Sequence, residues 1–211
     1  MTWQARPRGS TYSRLMMLRT YASSLAGMSV GLAALCAGCA RPGAGPGSAG
    51  EPPPPALVRP SVPAELAVPD DHKLAVVADA RGAQIYECAT GASGALAWKL
   101  HAPRAELFDA TGVQIGIHYG GVDKGLPPGP YWEAKDGSRV HGQSPVSAPN
   151  PGSIPLLRLQ AADATGTGVL SKVSYVHRLA TTGGVAPAEP CTAGQSTEVA
   201  YTAKYYFYTA P

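Results

Sequence analysis

The stretch from Glu198 to Tyr208 sets Val199, Tyr201, Ala203, Tyr205 and Phe207 at every second position, with Thr202, Lys204, Tyr206 and Tyr208 between them. Successive residues of a strand point to opposite sides of a sheet, so this run has one apolar face as a strand and only mixed stripes as a helix. Val113, Ile115, Ile117 and Tyr119 alternate in the same way with Gln114, Gly116 and His118. A strand there is expected to bury its aliphatic side and turn His118 toward solvent or a cleft.

Short apolar runs of this kind recur at 73–78, 84–88, 96–101, 105–108, 113–119, 131–135, 139–147, 156–161, 170–178 and 198–208. Turn formers separate them, among them Asp109-Ala110-Thr111-Gly112 and Asp136-Gly137, where hairpins are expected. Gly and Pro together exceed a fifth of the residues and Tyr outnumbers Phe five to one, a composition that suits many turns and strands. The fold class that follows is all-β: a single β-sandwich or barrel-like domain of about eight to ten short antiparallel strands. Helix is confined to one or two short turns, one of them near Ala64.

Upstream of the strands the chain has a different character. Arg14 and Arg19 precede an uncharged run of apolar and small residues from Tyr21 to Gly38, the basic-then-apolar order of a secretory signal. Ser23, Ser24, Gly27, Ser29 and Gly31 interrupt the run, which makes it a poor permanent membrane span. Residues 1–38 are therefore read as a signal peptide, with Met16 or Met17 as alternative starts. The run ends in Leu35-Cys36-Ala37-Gly38-Cys39-Ala40, which resembles the bacterial lipoprotein signal. That resemblance implies acylation of Cys39 and, with Ala40 following, anchoring to the outer membrane. Cleavage and release as a secreted or periplasmic soluble protein is the alternative. Residues 39–60 are almost wholly Gly, Pro, Ala and Ser and are expected to form a disordered tether. The β domain is expected over residues 61–211.

The four leader arginines carry the apparent basicity. Without them thirteen Lys and Arg face fourteen Asp and Glu, a net charge of −1, which leaves no basic footprint for nucleic acid. Besides Cys39 the mature chain holds only Cys88 and Cys191, a pair expected to form a disulfide in an exported protein. Neither has CxxC spacing, so zinc-ribbon and redox readings are weak.

Common catalytic signatures are missing: there is no Gly-x-Ser-x-Gly, no His-Glu-x-x-His and no phosphate loop. Gly166-Thr167-Gly168 opens like a dinucleotide fingerprint but leads into a strand-like run and reads as a loop. No cofactor is implied. The polar and aromatic residues between His118 and His141 form the candidate ligand site: His118, Tyr119, Tyr131, Trp132, Asp136 and Ser138. Tyr119, Tyr131 and Trp132 could stack sugar rings or apolar ligands in a groove, although Trp132 suits a core equally and Asp136-Gly137-Ser138 suits a hairpin turn. A second reading gathers two of His101, His118, His141 and His177 with Glu133 or Asp136 as metal ligands.

The motifs Gly82-x-Gln84-x-Tyr86-x-Cys88, Gly116-x-His118-Tyr119, Trp132, Asp136-Gly137-Ser138, Gly166-x-Gly168, Arg178, Thr182-Gly183-Gly184, Cys191 and Tyr201-x-Ala203-x-Tyr205-x-Phe207-Tyr208 together resemble the family catalogued as domain of unknown function 3455. That family occurs in secreted and envelope proteins of bacteria and fungi. The resemblance spans the β domain and implies no catalytic residue. Dehydrogenase labels occur in the family, but the strand-turn-helix glycine unit a nicotinamide enzyme needs is not found here. The expected role is that of an envelope lipoprotein whose β domain binds a glycan, a cell-wall polymer or a protein partner. The alternatives are a metal-binding protein or metal-dependent enzyme centred on His118, and a purely structural assembly domain.

Overall fold

A computed structural model describes residues 56–211; the signal segment, Cys39 and most of the tether lie outside the described residues. Eight antiparallel strands follow one another in chain order and close into a barrel: β1 (Lys73–Thr90), β2 (Leu96–Phe108), β3 (Gln114–Gly120), β4 (Pro130–Ala134), β5 (Arg139–Ala148), β6 (Leu156–Thr165), β7 (Val173–Gly183) and β8 (Ser196–Thr209). Short 3₁₀ turns occupy Ala64–Leu66 and Gly121–Lys124. Closure is made by β1 against β8, paired from Lys73 with Thr209 to Glu87 with Ser196. It removes both sheet edges and with them the unpaired backbone groups an open sheet would expose.

Ten expected runs become eight strands because two pairs fuse. Residues 73–78 and 84–88 are one strand, as are 96–101 and 105–108. The linking residues, 79–83 and 102–104, contain Gly82 and Pro103 and so interrupt the apolar pattern, and the barrel uses the small residues in and around them. Ala78, Ala80 and Ala105 face inward, and a Cβ at Gly82 would lie 2.0 Å from the Arg104 carbonyl oxygen. The small residues of β1 and β2 leave room for Trp132 of β4 and for Tyr201, Tyr205 and Phe207 of the adjoining β8, all buried. Large side chains opposite small ones fill an eight-stranded interior.

The turns at Asp109–Gly112 and Asp136–Gly137 form as expected, with Gly112 at φ 84° and Gly137 at φ 83°. The second also closes one end of the barrel. Asp136 Oδ1 accepts from the Ser138 amide at 2.9 Å and hydroxyl at 2.6 Å, and its Oδ2 accepts from the Val169 amide at 2.8 Å. The Ser138 hydroxyl oxygen accepts from the Leu170 amide at 3.0 Å. This clasp seats Leu170 among Val140, Val173 and Phe207. Gly168 is confined by it, since a Cβ there would meet the Asp136 carboxylate at 2.1 Å. Gly166-x-Gly168 is a loop, as its sequence suggested.

A strap formed by residues 59–72 covers the outer face of the β5–β8 wall. Leu66 is buried with Ala148 and Leu179, flanked by Val62, Leu156 and Tyr206. The Arg59 guanidinium lies 5.2 Å from the centre of the Tyr208 ring and donates to the Val68 carbonyl at 2.8 Å.

Candidate functional site

The end of the barrel away from the Asp136 clasp is open. A cavity of about 670 Å³ enters there, walled by Leu100, Pro103, Val122, Pro130, Leu157 and Leu159, with Gln84, His118, Trp132, Arg178 and Tyr205 among its polar and aromatic residues. The size lies within the range of small-molecule sites, which are mostly apolar with a few placed polar groups.

Period 2 in β3 was expected to bury the aliphatic face and turn His118 away from it. The opposite side faces inward. His118 pairs with Ala105 and Trp132, and Ile117 pairs with Glu106 and Glu133 on the outside. Alternation establishes two faces but not which one is enclosed, and here the slot beside Trp132 takes a flat ring. The His118 and Trp132 rings stack at 4.6 Å with 10° between planes, and Tyr205 meets Trp132 edge-on at 5.4 Å.

His118 Nδ1 lies 2.7 Å from the Tyr131 carbonyl oxygen. A carbonyl only accepts, so Nδ1 carries the proton and Nε2 is left as an acceptor. Burial pushes the imidazole pKa down to about 3. His177, under the strap, is also lowered by burial; it donates from Nε2 to the Leu66 carbonyl at 2.7 Å, which leaves Nδ1 to accept from the Tyr208 hydroxyl at 3.2 Å. Both rings are neutral when folded but take up a proton near pH 6.5 when unfolded. Below that pH the unfolded chain binds more protons, so this stability is complete above about pH 6.5 and falls as pH drops toward the folded values. The urea midpoint is expected to fall from about pH 7 to about pH 5, before most carboxylates titrate. An unchanged midpoint would show that neither ring is held neutral.

The expected ligand residues separate into three places. His118 and Trp132 line the cavity. Tyr119 and Tyr131 lie on the outer face, where Tyr131 stacks between Tyr119 at 5.8 Å and His141 at 4.3 Å, and the Tyr119 hydroxyl donates to Glu133 at 2.8 Å. Asp136 and Ser138 form the clasp at the closed end. Tyr131 and Trp132 are 4% and 1% exposed, and their ring faces are taken by neighbouring residues, so neither offers the open aromatic platform expected of a sugar-stacking groove. The histidines are also dispersed: His101 binds Asp123 at the rim, His118 is internal, His141 borders the cavity while stacked on Tyr131, and His177 is under the strap. Among the described residues no three His, Cys, Asp or Glu side chains are grouped to hold a metal ion.

From the sequence, Gln84, Arg178 and Tyr205 read only as family-motif residues and not as candidate ligand residues. The signal was present, because Gln84 continues the inward series Ala78, Ala80, Gly82 and Arg178 continues that of Val176. A polar residue in a buried register is the unusual one. Buried Gln84 Nε2 and Trp132 Nε1 have no hydrogen-bond partner among the described residues; the Trp132 side chain lies close enough to the Tyr205 hydroxyl to favour its ionisation, but without bonding geometry.

Cys88 and Cys191 are joined, as expected, across 103 positions of sequence. The bond fastens the β7–β8 connection to the end of β1 beside the open mouth. The Cys88 amide donates to the Gln195 carbonyl at 2.8 Å, and Trp98 Nε1 donates to the Glu189 carbonyl at 3.1 Å.

The family model described as "Protein of unknown function (DUF3455)" matches residues 69–209. No curated protein and no solved structure matches the chain.

Proposed function

We propose, on the premise that the chain belongs to the DUF3455 family, that its barrel holds a small ligand inside the open cavity and that a lipid on Cys39 tethers it to the cell envelope. The observation that carries the first part is the pair of buried, unpartnered donors, Gln84 Nε2 and Trp132 Nε1, on residues that line a mainly apolar cavity. Leaving a buried donor unpaired costs about 1–3 kcal/mol, a cost that a ligand bringing acceptors would offset. The signal-like leader, the cysteine after small residues and the Gly/Pro tether support the second part.

An enclosed ligand suits the cavity better than a polymer lying across the outside, because the aromatic rings first assigned to a groove have no open face. The metal reading centred on His118 lacks a group of three ligand side chains among the described residues and is set aside.

The test is thermal denaturation of the purified full chain carrying Cys39→Ser, against a panel of envelope glycans, nicotinamide nucleotides and small apolar acids and alcohols. A ligand at a hundred times its dissociation constant stabilises by about 2.7 kcal/mol. A shift that disappears in Leu157→Trp, which fills the cavity, would establish the internal site. A glycan shift that survives this change would move binding to the outer surface. Mass analysis of the mature wild-type protein from a bacterial host should find an acylated Cys39 at its N-terminus, and an unmodified soluble product would overturn the tether.

A further inference from the structure

We infer that the cavity selects amphiphiles with an anionic head, a carboxylate or related oxyanion paired with Arg178, over uncharged molecules of the same shape. This rests on the ligand-binding reading above and names its ligand class.

Arg178 sits on the inward register of β7, paired with Tyr205 on one side and Leu157 on the other. Its Nε and Nη2 donate to the Pro155 carbonyl at 3.2 and 2.9 Å, which positions the guanidinium but leaves its charge unneutralised. No Asp or Glu lines the cavity, and none of the ion pairs among the described residues includes Arg178. Its charge acts on the interior: it opposes protonation of His118 and favours ionisation of Tyr86, Tyr201 and Tyr205, although burial outweighs it at each tyrosine.

Arg178 is only half-buried and its bonds to Pro155 are exposed, so water solvates it in the open cavity, and an anion that displaces that water beside the apolar walls pairs directly with its charge. Two further groups agree in sign, whereas His118 Nε2 is an acceptor and would have to lie beside the body of the ligand, away from its anionic head. Gln84 Nε2 and Trp132 Nε1 are both donors and both unpartnered. A guanidinium with extra N–H donors and no carboxylate is complementary to an oxyanion, which accepts several hydrogen bonds at once. The walls are apolar, with Leu100, Pro103, Val122, Leu157 and Leu159, and would cover a hydrocarbon or aromatic body. Exposed Leu100 and Val122, at 53% and 45% exposure, continue that surface to the mouth.

The experiment is isothermal titration of the full chain carrying Cys39→Ser with matched pairs, alkyl and aryl carboxylates each against the corresponding alcohol. A charge-assisted hydrogen bond contributes about 1.5–3 kcal/mol, so carboxylates should bind roughly ten- to a hundredfold more tightly than their alcohols. Arg178→Gln should erase the difference by weakening only the acids, while Arg178→Lys should keep most of it. Circular dichroism would confirm that each variant is folded. Equal binding of acid and alcohol, unaffected by Arg178→Gln but lost in Leu157→Trp, would overturn the charge selection and leave the cavity reading standing. No binding by any pair would overturn both.

Discussion

Trp132→Ala is expected to lower the unfolding free energy by about 3–5 kcal/mol, the usual cost of removing a buried aromatic ring. The ring is 1% exposed and carries contacts from four directions. His118 stacks on it, Tyr205 and Phe207 meet it edge-on, and a Cβ at Gly142 would come within 2.9 Å of it. β4 is only five residues long, so little else of that strand can compensate. The void would open into the barrel cavity and admit water, which places the expected value toward the lower part of the range. Urea denaturation monitored by far-ultraviolet circular dichroism would measure it. A loss under about 1 kcal/mol would mean that the stacked layer relaxes around the gap, contrary to close packing.

Breaking Cys88–Cys191 should cost a similar amount by a different route. The separation of 103 residues corresponds, in the chain-entropy treatment, to about 4.7 kcal/mol, and removal of native disulfides from small secreted domains costs about 2–5 kcal/mol. Most of that effect lies in the unfolded chain, so the barrel of the Cys88→Ser, Cys191→Ser double variant should keep its strands while unfolding at much lower denaturant. A local effect adds to the global one. The bond holds the β7–β8 connection against β1 at the mouth, where the Gly194 amide donates to the Cys88 carbonyl at 3.1 Å, so amide exchange should accelerate in residues 185–195 before it does in β8. Equal midpoints with and without reductant would show that the hydrogen bonds at the mouth suffice alone.

The cavity also explains which parts of the site were readable from residue order. His118 and Trp132 were singled out and do line it, since a histidine and a tryptophan within a run of strand-like segments are conspicuous. Tyr119 and Tyr131 were grouped with them because they are adjacent in sequence, yet adjacent residues of a strand face opposite sides. They belong to an outer stack covered from the Gly121–Gly129 side, where a Cβ at Gly121 would lie 2.5 Å from the Tyr131 ring. Asp136 and Ser138 have the composition of a ligand loop and of a hairpin turn alike. Their use in seating Leu170 depends on Val169 and Leu170, some thirty residues downstream, which no local pattern connects to them. Arg178 carried the family resemblance but was not read as a ligand residue, because cationic residues are ordinarily solvated and its inward register appears only when Val176 and Tyr205 are known to face the core.

Local physics written into the sequence determined the all-β class, the Asp109–Gly112 and Asp136–Gly137 turns, the inward face of β8 and the pairing of Cys88 with Cys191. Each depends on a short-range rule: the two-residue period of a strand, the tolerance of glycine for positive φ, or the presence of only two cysteines in the strand-rich part of the chain. Tertiary structure alone decided that the sheet closes, that β1 and β2 each run unbroken through their small residues, that His118 faces in and Ile117 out, and that Arg178 lies among apolar walls without a carboxylate. Those outcomes depend on what stands across the barrel, because β1 meets β8 only after the whole chain has turned, and a face becomes an interior only when its opposite wall is in place.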